Sequence, residues 1–250
     1  MGNKIIPQEG SFEIVFEDEN YLVVNKRRGV VVHPGVKNEQ DTLANYVLGY
    51  LQEKGGYDKQ LKRAGIVHRL DKGVGGLIVF AKNRRVQKHL AKQFESHEVL
   101  KIYYAEIQCN NGEFFKNFYP VDFVYKVVEA FYYKKDIDLT NWRKLEGSMR
   151  RDEKNRKKYI FLPYTFEKSL RNAKSYVLPL CKDKVFVLIE TSRTYQIRAT
   201  LKSLGCIVKG DRLYGAKTDN SDSIFLYSVV LGFEGLDCEK RFFNIIESFV

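Results

Sequence analysis

The chain is poor in the residues that build covalent frameworks and metal centres. It holds four cysteines and four histidines in 250 residues. Cys109, Cys181, Cys206 and Cys238 form no C-x-x-C pair, and no histidine stands at zinc-ligand spacing from any of them. A zinc site and a disulfide framework are therefore excluded as organising principles. Buried free thiols and a cytoplasmic location are the expectation. With 5 Pro and 18 Gly the chain is neither collagen-like nor dominated by linkers, and with 44% apolar residues it is not disordered throughout. No apolar run approaches the ~18–20 residues of a membrane span. The opening MGNKIIPQEGSFEIV lacks the basic head and apolar stretch of a secretory leader.

Negative charge is also in short supply. Lys and Arg number 42 against 31 Asp and Glu, a formal net charge of +11. The excess is unevenly placed. Residues 1–25 carry −4, residues 26–101 carry +9, and Arg143–Lys158 pack eight basic and three acidic residues into one run. Such a surplus suits an anionic polymer or an anionic membrane. The Arg143–Lys158 run reads either as a solvated loop or as a grip on a polyanion.

Periodicity supplies the elements. Residues 12–16, 21–25, 30–33, 77–80 and 100–108 are rich in β-branched and aromatic residues and read as strands, as do 224–233 and 242–246. Residues 176–181 and 185–190 form a hairpin across Lys182 and Asp183. Helices are expected over 41–53, capped by Asp41 or Thr42 and stopped by Gly55–Gly56, over 84–97, and over 193–204 up to Gly205. Strands outnumber helices and often follow one another directly. The expectation is an α+β single domain with a mixed, largely antiparallel sheet and flanking helices, with residues 134–170 as a basic, irregular insertion.

The densest cluster of chemistry-bearing residues is Gly65-Ile-Val-His-Arg-Leu-Asp-Lys-Gly-Val-Gly-Gly76. Charged residues in a turn beside a buried strand are held by a rigid frame, which is where sites are often built. A superficial likeness to the H-R-D loop of protein kinases fails. No glycine-rich loop precedes it, and neither D-F-G nor A-P-E follows.

Four segments together resemble the RluA family of RNA pseudouridine synthases. GIVHRLDKGVGGLIVFAKN at 65–83 is similar to the family's H-R-L-D-x-x-T-S-G and the A-K strand after it. FEDENYLVVNKRRGVVVHPG at 16–35 is similar to its opening strand pair with K-P-x-G and V-H-P. Lys101-Ile-Tyr-Tyr-Ala105 matches K-x-Y-x-A. LIETSRTYQIRATLKSLGCIVKGDRLYG at 188–215 is similar to G-R-T-H-Q-I-R and G-D-x-x-Y-G. All four occur in family order.

The resemblance implies the pseudouridine-synthase fold with a central catalytic cleft, and isomerisation of uridine in ribosomal or transfer RNA without metal or cofactor. It implies Asp71 as the catalytic carboxylate, either attacking C1′ or assisting deprotonation of the sugar, and in both cases ionised. Arg198 would pair with Asp71, with a bidentate contact as one way to fix it. Tyr103 would stack on uracil or relay a proton. Arg69 would fill the place of the extruded base, with His68, Leu70 and Lys72 beside it in the RNA-binding loop. Because the catalytic pattern begins near residue 13, the family's N-terminal S4 module is expected to be absent, and RNA affinity is then expected from Arg84, Arg85, Lys88, Lys92 and the Arg143–Lys158 run. A monomer with RNA as partner, no metal and no membrane is expected. Three departures stand out: Val74-Gly75-Gly76 for T-S-G, Ser192 and Tyr195 for the Gly and His of G-R-T-H-Q-I-R, and Lys26-Arg-Arg-Gly29 for K-P-x-G. The missing hydroxyls motivate the alternative of a weakly active or inactive RNA-binding assembly factor on the same fold.

Overall fold

The computed structural model describes residues 5–35, 40–55, 58–109, 117–217 and 224–250. In chain order the elements are β1 (Glu13–Glu17), β2 (Tyr21–Lys26), α1 (Leu43–Glu53), β3 (Gly75–Ala81), α2 (Arg84–Glu95), β4 (Leu100–Cys109), α3 (Asp122–Tyr132), β5 (Arg143–Arg151), β6 (Tyr159–Pro163), β7 (Arg171–Cys181), β8 (Lys184–Ile189), α4 (Gln196–Ser203), β9 (Cys206–Val208), β10 (Leu226–Glu234) and β11 (Lys240–Asn244). The strands join in the order β1-β2-β3-β10-β4-β8-β7-β5-β6, with β11 paired to β10 and β9 to β4. Among the described strands only β3 and β10 run parallel; the other pairs are antiparallel. The fold is the α+β arrangement with a mixed, largely antiparallel sheet that the sequence predicts.

Alternation along the strands separates two faces. Leu22, Val24, Ile78, Phe80, Tyr103 and Ala105 point to one face, where α1 and α4 bury Leu43, Val47, Ile197 and Leu201. Tyr21, Val23, Leu77 and Val79 point to the other, covered by Val86 and Leu90 of α2. Ile102 and Tyr104 share that second face with Val124, Val127, Val128 and Phe131 of α3.

Several expectations are corrected. Residues 30–33 form no strand: Val31 makes one isolated bridge to Thr42, and the carbonyls of Val31 and Val32 accept from the first amides of α1 at 2.8 and 3.0 Å. Thr42, not Asp41, is the N-cap, its amide donating to Asn45 Oδ1 at 3.1 Å. Gly55 ends α1 at φ 71°, while Gly56 lies outside the described residues. α4 starts three residues later than expected because Tyr195, at φ 58°, caps it. The stretch read as an irregular insertion contains the β5–β6 hairpin, with seven residues of β5 paired to β7.

The cysteines also depart from expectation. Cys109 and Cys206 face each other across the β4–β9 register and form a disulfide, their Cα atoms 4.0 Å apart. Cys238 is exposed and Cys181 half-buried, so neither is a buried thiol.

Candidate active site

The loop after Gly65 is held from several sides. Gly65 sits at φ 78°, where a Cβ would fall 2.0 Å from the Ala81 carbonyl oxygen, so only glycine lets the chain turn this close to β3. Ile66 bridges to Phe80. His68 Nε2 accepts from the Val79 amide at 3.1 Å, and its ring stacks on Phe94 at 4.4 Å. Leu70 and Val74 pack into the core, and the Val74 amide closes a turn onto the Asp71 carbonyl at 3.0 Å. From below, the Gly29 amide and Lys26 Nζ both donate to the Lys72 carbonyl, at 2.8 and 3.3 Å. Lys26 Nζ also donates to the carbonyls of Arg27 and Val30.

This loop lifts Asp71 into a cavity of about 410 Å³, whose walls include Tyr103, Arg198, Tyr195 and Leu226. Burial pushes the Asp71 carboxyl up; Arg198, Arg69 and Lys26 pull it back toward the charged form, and Asp211 opposes them. Burial lowers Lys26 to about 8, against the attraction of Asp71. Tyr103 is raised well above the ordinary phenol range by burial and by Asp71, so its hydroxyl stays protonated.

Arg198 Nη1 stands 3.8 Å from Asp71 Oδ2. The bidentate contact open to Asp71 is made elsewhere. Arg198 Nε and Nη2 donate to the two oxygens of Asp211 at 2.6 and 2.7 Å, and Asp211 is fully buried. The guanidinium carbon lies 4.2 Å from the Tyr195 ring centre and 5.1 Å from that of Tyr214. Clamped by a carboxylate and two aromatic faces, the guanidinium has one free edge, directed at Asp71. Tyr214 Oη also accepts from the Tyr159 amide at 3.1 Å and donates to the Tyr159 carbonyl at 2.8 Å, which ties the β5–β6 hairpin to the same cluster.

The other expected site residues divide. Arg69 and Lys72 are exposed beside Asp71. Leu70 is a core side chain in the cavity floor, not a surface for RNA, because its apolar neighbours bury it. His68 is pushed down to about 3 by burial and the nearby Lys101 charge, and its Nε2 is spent on the backbone, so it supports the loop. α2 packs on the sheet face opposite Tyr103, and only Phe94 at its end reaches the cavity. Arg85, Lys88 and Lys92 therefore project from the back of the sheet, and Arg84 is tied to Asp58 and Gln87. These four do not flank Asp71.

Asp211 is the site residue to which the sequence reading gave no role, although the G-D-x-x-Y-G segment carries it. One departure from the family pattern, Gly75, fits its surroundings. A Cβ on Gly75 would meet the Tyr227 ring at 2.8 Å and Arg28 Cγ at 3.3 Å. Arg28 lies over Phe225 and Tyr227. Arg28, at the variable position of K-P-x-G, fills the space that the glycine in place of serine leaves open.

Among the described residues no group of three His, Cys, Asp or Glu could hold a metal ion, and no helix is long and apolar enough to cross a membrane. A family described as RNA pseudouridylate synthase matches residues 20–203. Ribosomal large subunit pseudouridine synthase D of Borreliella burgdorferi is 32% identical over 210 residues, covering 84% of this chain and 56% of that protein. The uncharacterized RNA pseudouridine synthase YlyB of Bacillus subtilis is 29% identical over 235 residues, 92% of this chain and 67% of that one. The chain thus spans about half to two thirds of the length of these relatives. Human RNA pseudouridylate synthase domain containing 1 shares the fold, with a TM-score of 0.67 at 18% identity over 97% of this chain and 87% of that one.

Proposed function

Because the chain belongs to the RNA pseudouridylate synthase family, of the RluA type its motifs resemble, we propose that it isomerises uridine in RNA to pseudouridine. Asp71 is the catalytic carboxylate in this reading, Arg198 holds its charge, and Tyr103 forms the cavity wall against the uracil. The observation that carries it is the convergence of these three side chains on one cavity, with Arg198 clamped so that its free edge meets Asp71. An arginine fixed in advance stabilises charge at the carboxylate without reorganising during the reaction.

The reaction needs cleavage of the N1–C1′ bond, rotation of the uracil within the cavity, a new C5–C1′ bond, loss of the C5 proton to water and protonation of N1. The nucleotide must leave its stack to reach Asp71, at a cost of a few kcal/mol. In this reading Arg69, which is exposed beside Asp71, stacks where the base was. No metal or cofactor is required in this scheme. Several relatives carry names that assign them to the large ribosomal subunit, and we extend that substrate class, ribosomal RNA, to this chain. The protein works as a monomer, in the cytoplasm where that RNA resides.

The test is tritium release from RNA labelled at uracil C5. Wild type should release tritium, and Asp71→Asn should release none while retaining its fold and RNA affinity. Release by the variant at the wild-type rate would remove Asp71 from the chemistry.

A further inference from the structure

Tyr103 has a neighbour on the same strand face that the reaction scheme leaves unused. Lys101 is 2% exposed, yet it lines the cavity. Its Nζ donates to the Glu190 carbonyl at 3.1 Å and to Ser192 Oγ at 3.0 Å, both neutral. An ammonium has three protons to give, and among the described residues no carboxylate lies within ion-pair distance of this one. The Glu190 carboxylate is taken by Lys174 at 2.8 Å and the Tyr176 hydroxyl at 2.9 Å.

More positive charge converges here. Arg193 also lines the cavity, and its Nε donates to the Asn172 carbonyl at 2.9 Å, again neutral. Burial and the adjacent Arg171 push the Arg193 guanidinium down. His97, exposed outside the cavity, is lowered by desolvation and by the charges of Lys101 and Arg193, against the Glu190 carboxylate. A buried cation without an anion is costly, and the cavity opens onto Lys101, with the half-buried Arg193 beside it in the same wall.

We infer that Lys101, Ser192 and Arg193 form a phosphate subsite in the cavity wall, which takes a backbone phosphate beside the target uridine. The inference rests on the RNA-modifying reading above. Two residues along a strand face span about 7 Å, the order of one nucleotide, so a uracil against Tyr103 puts a neighbouring phosphate within reach of Lys101. The Ser192 that departs from the family's glycine supplies the hydroxyl on which Lys101 rests.

The probe is a fluorescent ten-residue oligouridylate, with affinity measured by anisotropy across a salt series. Lys101→Met should weaken binding on the order of tenfold and reduce the log–log salt slope by about 0.7, the share of one single-strand phosphate. Arg193→Gln, a change nearer the rim, should lower the slope in the same way. In wild type, uridine 3′- or 5′-monophosphate should displace the probe better than uridine does, and Arg193→Gln should erase that advantage. A purely structural lysine would move the melting temperature and leave the slope alone. An unchanged slope in both variants, with no advantage for either monophosphate, overturns the subsite. Tritium release run in parallel separates the claims: an active wild type with unaltered slopes refutes the subsite alone, whereas altered slopes without release refute the isomerase reading alone.

Discussion

Asp71 sits between a burial that favours its protonated form and three cations that favour the charged one. The net direction is upward from 3.8, so the acid limb of kcat/KM should fall above the range of an ordinary aspartate. Activity is lost as pH drops through that limb, because the protonated carboxyl no longer acts. Removing an opposing cation should move the limb further up: Arg69→Gln shifts it to higher pH, read from a pH–rate profile. A limb that stays in place would show that Arg69 does not set the charge on Asp71. Asp211 is expected to act through Arg198. Asp211→Ala leaves a buried guanidinium without its bidentate partner, with a stability loss on the order of 3–5 kcal/mol by urea unfolding. It should lower kcat more than it raises KM, since Arg198 loses the clamp that aims it at Asp71. Asp71, Tyr103 and Arg198 were legible because each stands in a motif of fixed spacing. Asp211 also stands in a motif, G-D-x-x-Y-G, but its pairing with Arg198 was not legible, because it exists only once a loop 13 residues downstream folds back onto α4.

Element by element, legibility tracked the simplicity of the pattern. β3 and β4 were readable as uninterrupted apolar or alternating runs. β5 and β6 were hidden by their basic residues: Leu145 and Met149 turn inward, while Arg143, Lys144 and Arg151 face solvent. Residues 30–33 have strand composition, but their carbonyls cap α1, a tertiary use that composition does not reveal. The Cys109–Cys206 pair was unreadable for a related reason. A separation of 97 residues says nothing until β9 is laid against β4. Closing so long a loop restrains the unfolded chain, so Cys206→Ser under oxidising conditions should cost about 2–5 kcal/mol. Dithiothreitol should lower the melting temperature of wild type and leave the variant unmoved. Equal responses from both would mean that the pair does not stabilise the fold.

Across the whole molecule, the surplus of positive charge has a specific distribution. The charge around residues 26–101 is split by the sheet: Arg69 lines the cavity, Lys26 acts on Asp71 from beneath its loop and Lys72 is exposed next to it, whereas Arg85, Lys88 and Lys92 stand behind the sheet. The β5–β6 hairpin adds Lys154, Arg156 and Lys157 at an exposed turn, and Tyr159 ties that hairpin to the cluster around Arg198. Neutralising those three to glutamine should therefore lower RNA affinity and reduce the salt slope by up to about 2, with kcat unchanged at saturating RNA. Arg85, Lys88 and Lys92 changed in the same way should leave the slope close to wild type. The reverse ranking would move the RNA track to the other face of the sheet.

The central claim is that this cavity converts uridine to pseudouridine through Asp71. Its most direct test maps pseudouridines at nucleotide resolution in RNA from cells lacking the protein, restored with either wild type or Asp71→Asn. The account predicts at least one ribosomal RNA position that is uridine in the deletion strain, pseudouridine with wild type, and uridine with Asp71→Asn. A map that does not change on deletion, or that Asp71→Asn restores in full, would contradict it.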